Sequence, residues 1–159
     1  MYQKCLDLLT QRGVRLEDIA ECVMFLQKKY TANLTEEECK EAVVTILHKR
    51  EVQHAVLTGL YLDRAAESDL IDDEVLKEIL MNDDALYGAD EVLAYGICNL
   101  YGSIALTYYG YIDRVKPGII GEMNDSHTHK VCNTFLDDIV GAIAASAASK
   151  IAHTKREEV

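Results

Sequence analysis

The chain predicts an all-α fold, a single compact multi-helix domain over residues 1–159, and three observations carry that prediction. One proline and nine glycines occur in 159 residues; Ala, Leu, Glu and Lys are abundant; and apolar residues recur at helical spacing. A β-rich fold would need more turn residues. At this length one hydrophobic core closes without disulfides or a structural metal.

Tyr2 to Gln11 reads as a helix stopped near Gly13, and Leu16 to Tyr30 as a second, with Leu16, Ile19, Ala20, Val23, Phe25 and Leu26 near helical spacing. They are expected to pair as an antiparallel hairpin over about residues 1–33. A third helix opens at Thr35, whose hydroxyl caps the backbone while Glu38 reaches back in a capping box. The helical pattern then runs to about Glu67, with a break expected near Arg50. Asp72 and Asp73 start a short helix through Met81, the turn Asn82-Asp83-Asp84 follows, and another helix is expected from about Ala89 to Thr107. The stretch Tyr108 to Lys130, with Gly110, Pro117, Gly118 and Gly121, reads as a long ordered loop before the C-terminal helix, Val131 to His153.

A net charge of −11 excludes nucleic acid as a partner, because phosphate backbones demand a basic stripe. Five scattered cysteines without a CxxC pair, and an N-terminus without an apolar signal core, predict reduced thiols and a cytoplasmic protein. The uncharged run from Ile139 to Ser149 is well short of the roughly 20 residues of a membrane span. P-loop, dinucleotide and GxSxG signatures are absent.

The strongest chemical signal is Asp137-Asp138, two carboxylates inside an otherwise apolar helical run, Thr134 to Ala145. Such charges must be neutralised, paired or bound to a metal. Asp63, Asp90-Glu91 and Asp137-Asp138 together offer the carboxylates that a hard cation such as magnesium requires. On a continuous helix Asp90 and Tyr101, three turns apart, share a face, and Asn99 turns toward the same groove. Lys116 and Arg114, near Pro117, are the cationic candidates for a phosphate ester. His127 and His129 read as exposed, and His54 as structural.

From these residues the chain resembles a known family. Asp90-Glu91, the run Asn99 to Thr107, Gly110-Tyr111-Ile112-Asp113, Lys116-Pro117-Gly118 and Thr134 to Val140 are similar to phosphatidylglycerophosphatase A, and especially to its soluble branch, the YutG or low-temperature-requirement C proteins. Val56 to Asp63 resembles that branch as well. The resemblance implies a magnesium-dependent phosphatase, or one using another divalent cation, that converts phosphatidylglycerophosphate to phosphatidylglycerol. Asp137, Asp138, Asp90 and Glu91 would hold the metal. Asp63 and Asp113 would support it or position water, with Asp137 and Asp138 also catalytic, and Lys116, Asn99 and Tyr101 would face the substrate. The substrate is then a phosphorylated lipid or a small phosphate ester, with at most transient contact at the inner membrane face, and the protein is expected to be a homo-oligomer.

Two alternatives stand beside this reading. An all-α nucleotide pyrophosphohydrolase also gathers magnesium between helices, but its ExxE and ExxD pattern is missing. A non-enzymatic regulatory or assembly protein would use Gly141, Ala144, Ala145 and Ala148 to pack its last helix on a partner.

Overall fold

In the computed structural model, which describes residues 1–157, the helical periodicity resolves into α1 (Tyr2–Gln11), α2 (Leu16–Gln27), α3 (Glu36–Leu47), α4 (Arg50–Glu67), α5 (Glu74–Asn82), α6 (Ala89–Cys98), α7 (Ser103–Val115), α8 (Ile119–Ser126) and α9 (Leu136–Glu157). No strand occurs among the described residues.

Helix α9 is the axis of the fold. Every residue from Leu136 to Ser149 is buried, and α4, α6, α7, α2 and α3 surround it. A helix buried on all sides must be built of apolar and small residues. This explains Gly141, Ala144, Ala145 and Ala148: their small side chains let the ring of helices approach α9 within one chain, so they are not available to a partner subunit. Gly59 on α4 is the tightest point, since an added Cβ would lie 2.3 Å from Ile139 Cδ1 and 3.0 Å from Phe135 Cβ.

Local signals behave as the sequence predicts at several boundaries. Thr35 Oγ1 accepts from the Glu38 N–H at 3.2 Å while Glu38 accepts from the Thr35 N–H at 2.9 Å, completing the capping box of α3. Asp73 caps α5 through the Leu76 N–H at 2.8 Å, and the break near Arg50 separates α3 from α4.

Four expectations are revised. The N-terminal hairpin does not form as a pair: α1 lies chiefly on α4, whereas α2 lies on α9 and α3. The helix expected from Ala89 to Thr107 is divided by a 3-10 turn at Asn99–Tyr101 and by Gly102, whose φ of 82° is left-handed backbone natural only to glycine. The stretch Tyr108 to Lys130 is mostly helical, comprising the end of α7 and all of α8; Gly110 sits within α7 without breaking it. An irregular segment does precede the last helix, but it spans only 127–135, and α9 begins at Leu136 instead of Val131.

Candidate active site

The start of α9 is set by bonds from outside the helix. Asp63 on α4, fully buried, accepts the N–H of Phe135 at 3.0 Å and that of Leu136 at 2.9 Å, so one side chain satisfies two donors that a helix N-terminus leaves unpaired. Burial pushes this carboxyl up to about 7, against the opposing pull of those N–H groups. Upstream, the Cys132 N–H donates to Glu67 at 2.7 Å and the Thr134 hydroxyl to the Leu80 carbonyl at 2.6 Å. Arg12 holds Glu67 through two hydrogen bonds of 2.7 and 2.6 Å. His127 takes the Asn133 N–H on Nδ1, which leaves Nε2–H to donate to the Met81 carbonyl at 2.7 Å. These tertiary bonds keep 132–134 out of the helix and aim its first turn.

That turn presents Asp137 and Asp138 to a cavity of about 230 Å³ bordered by Asp83, Asp84, Asp90, Glu91, Asp113, Lys116 and Asn124. Seven carboxylates thus face one lysine, an excess of negative charge that calls for a cation. Lys116 Nζ donates to Asp137 at 3.0 Å and to Asp113 at 3.1 Å. Burial alone would lower the lysine, but the two carboxylates hold it above its ordinary value. Asp137, 5% exposed, is raised to about 6 by burial, with Lys116 pulling the other way. Asp138, 6% exposed, has no cationic partner among the described residues; burial and then the Asp137 charge raise it well above the carboxylate range. Its Oδ1 accepts from the buried Tyr109 hydroxyl at 2.8 Å. A larger hollow of about 700 Å³ lies between α2, α7 and the end of α9, bordered by Tyr30, Ile104 and Tyr108, but it gathers no such carboxylates.

Lys116 owes its position to strained backbone. Its φ of 49° is left-handed, a conformation that costs a non-glycine residue about 1–2 kcal/mol, and Pro117 and Gly118 follow it to complete the turn into α8. Gly121 permits this turn: an added Cβ would sit 2.5 Å from the Lys116 carbonyl oxygen.

Residues 11–153 match the family described as Phosphatidylglycerophosphatase A. This chain belongs to that family. It is 53% identical over 156 residues to the uncharacterized protein YutG of Bacillus subtilis, covering 98% of this chain and 93% of that protein. Among solved structures, the low temperature requirement C protein of Listeria monocytogenes superposes with a TM-score of 0.94 at 51% identity, covering 98% of this chain and 96% of the other. A protein of unknown function from Bacillus stearothermophilus gives 0.93 at 53% identity, over 97% and 94%. The match therefore extends to the YutG and low-temperature-requirement C branch named from the motifs. No helix among the described residues is long and apolar enough to cross a membrane.

In this phosphatidylglycerophosphatase A relative the structure brings Asp90, Glu91, Asp113, Lys116, Asp137 and Asp138 to one cavity. Asp63 lies behind it as the anchor of α9 and does not border it. Asn99 and Tyr101 are also elsewhere: the 3-10 turn that carries them is beside Ser149, whose hydroxyl donates to the Tyr101 carbonyl at 3.0 Å. Ser149 is three helical turns, about 16 Å, from Asp138 along α9. The face-sharing of Asp90 and Tyr101 assumed one unbroken α-helix, whereas α6 ends at Cys98 and Tyr101 rides on the 3-10 turn. Asp83, Asn124 and Tyr109 are site residues that sequence reasoning missed. The signal for Tyr109 was its i, i+4 spacing to Asp113 on one helical face, hidden while the segment read as a loop.

Among the described residues no three His, Cys, Asp or Glu side chains stand close enough together to clasp an ion as they are. The donor set nevertheless suits a hard divalent cation, for buried Asp137 and Asp138 lie side by side, the lysine bonds Asp137 and not Asp138, and exposed Glu91 borders the same cavity.

Proposed function

We propose that this family member is a divalent-metal-dependent phosphatase acting on a phosphate monoester, with phosphatidylglycerophosphate as the first substrate to test. The observation that supports it best is the buried pair Asp137-Asp138, left short of positive charge at a cavity sized for a phosphoryl group.

In this reading Asp137 and Asp138 would hold magnesium or another divalent cation, with Asp90 and Glu91 completing the set. When bound, the cation supplies charge neutralisation at the phosphoryl oxygens. Lys116, already oriented by Asp113, donates to a phosphoryl oxygen and trades its Asp137 contact for the substrate. Tyr109 holds Asp138 in one orientation by donating to Oδ1. Asp63 fixes the helix turn on which both carboxylates ride, and so acts through position instead of touching substrate.

Either a lipid headgroup or a small soluble ester presents the same phosphoryl chemistry. The test is phosphate release from short-chain phosphatidylglycerophosphate and from soluble phosphate monoesters, with and without magnesium, by wild type, Asp137→Asn and Asp138→Asn. Metal-dependent release that falls at least 100-fold in both variants is expected. Release that needs no metal, or that survives both substitutions in folded protein, refutes the reading.

A further inference from the structure

From Val92 to Ile112 the chain holds no charged residue, although 27% of all its residues are charged. This segment forms most of α6, the 3-10 turn and most of α7, and a full stripe of it faces outward. Val92 is 67% exposed, Tyr95 43%, Leu106 37% and Tyr111 47%, with Gly96 and Gly110 exposed among them. The Tyr95 ring meets the Tyr109 ring edge-on at 5.3 Å, so the two helices are neighbours and their outward stripes lie side by side.

The two glycines are the second observation. Both sit inside α-helices, and a Cβ built on either would meet nothing within 4 Å. Unlike Gly59, then, neither is required by any contact within the protein. Each costs its helix about 0.5–1 kcal/mol relative to alanine. Glycine on an open helix face has a use when another surface comes closer than a Cβ allows.

We propose that the α6–α7 face is the contact surface between two copies of this chain. Charge selects the occupant. At a net charge of −11 two copies repel wherever their acidic faces meet, and this uncharged strip is where they approach without that penalty. An anionic bilayer demands clustered Lys and Arg, whereas Arg114 stands alone at one end and Glu91 and Asp113 border the strip. A self-complementary strip suits a two-fold dimer, in which the same patch serves both partners. The exposed parts of Val92, Tyr95, Leu100, Leu106, Tyr111 and Val115 offer roughly 500 Å² per copy, the larger share of the about 800 Å² that a standard interface buries on each side. The interface does not depend on the phosphatase reading, since none of these residues belongs to the cavity.

Sedimentation velocity from low to high micromolar concentration, on wild type, Gly96→Glu/Gly110→Glu and the control Val75→Glu on α5, tests it. Both glycine sites have open space, so the double variant should keep the wild-type circular dichroism. Wild type and Val75→Glu are expected to sediment as dimers and the double variant as a monomer, its dissociation constant raised at least 100-fold. A wild type that stays monomeric at every concentration overturns the proposal, as does a dimer that persists in the double variant. A monomer that floats with phosphatidylcholine–phosphatidylglycerol vesicles overturns it too and gives the face to a lipid surface. If the double variant misfolds, Arg114→Cys at the rim carries a nitroxide label selectively, because all five native cysteines are buried. One defined distance between labels on two copies is expected, and its absence overturns the proposal.

Discussion

Replacing Asp63 tests whether the acidic cavity is held in place from behind. Asp63→Ala removes the acceptor of the Phe135 and Leu136 N–H groups, both buried, and leaves them unpaired. Each orphaned donor costs about 1–3 kcal/mol, so the variant should lose about 2–5 kcal/mol, a large share of the 5–15 kcal/mol that stabilises a typical protein. Asp63→Asn keeps one acceptor oxygen but turns an amide toward the second N–H, and should lose about half as much. The two can be compared by urea unfolding followed by circular dichroism, with the midpoint converted through a common slope. The dependence on pH has a defined sign. The folded-state value of Asp63 is raised to about 7, above the ordinary 3.8, so its stabilising contribution is complete below about pH 3.8 and is lost as pH rises from there to about 7. The stability gap between wild type and Asp63→Asn should therefore narrow between about pH 4 and pH 7 and level off above that. Asp63→Asn that unfolds at the wild-type midpoint yet abolishes phosphate release would refute the positional role and return Asp63 to the chemistry.

Other substitutions probe the cavity directly. Lys116→Met removes the cation that bonds Asp137; kcat/KM for phosphate release should fall at least tenfold, and the acid limb of the pH–rate profile should move up as Asp137 rises above about 6. Because Asp138 is raised well into the neutral range or beyond, magnesium binding at pH 7 should expel about one proton and tighten as pH rises. Calorimetry in two buffers of different ionisation enthalpy measures that release, and a buffer-independent heat contradicts it. Gly59→Ala drives a methyl against Ile139 Cδ1 and should cost about 1–3 kcal/mol in thermal or urea unfolding. Gly96→Ala, in open space within one chain, should be neutral or stabilising by up to about 1 kcal/mol when unfolding is followed at concentrations low enough to keep the protein monomeric.

The sequence alone determined the fold class, because one proline, few glycines and sustained helical spacing leave no other way to bury so many apolar residues. It also exposed Asp137-Asp138, since paired carboxylates in an apolar run require compensation wherever they lie. Local chemistry was equally legible at Thr35 and Asp73, where a capping side chain acts within one turn of its own helix. The sequence was silent wherever the deciding contact came from far along the chain. Phe135 and Leu136 begin α9 because Asp63, over seventy residues earlier, takes their N–H groups; Gly110 stays helical because its neighbours Tyr109 and Ile112 are buried in the core. Gly102, by contrast, was a local signal, a glycine whose left-handed backbone ends the helical run after Tyr101 and lets α7 start in a new direction at Ser103. Tertiary structure alone decided which acids meet at the cavity and which, like Asp63, serve from behind it. A carboxylate's type and spacing say that it needs a partner, but only the packing of helices around α9 says which partner it has.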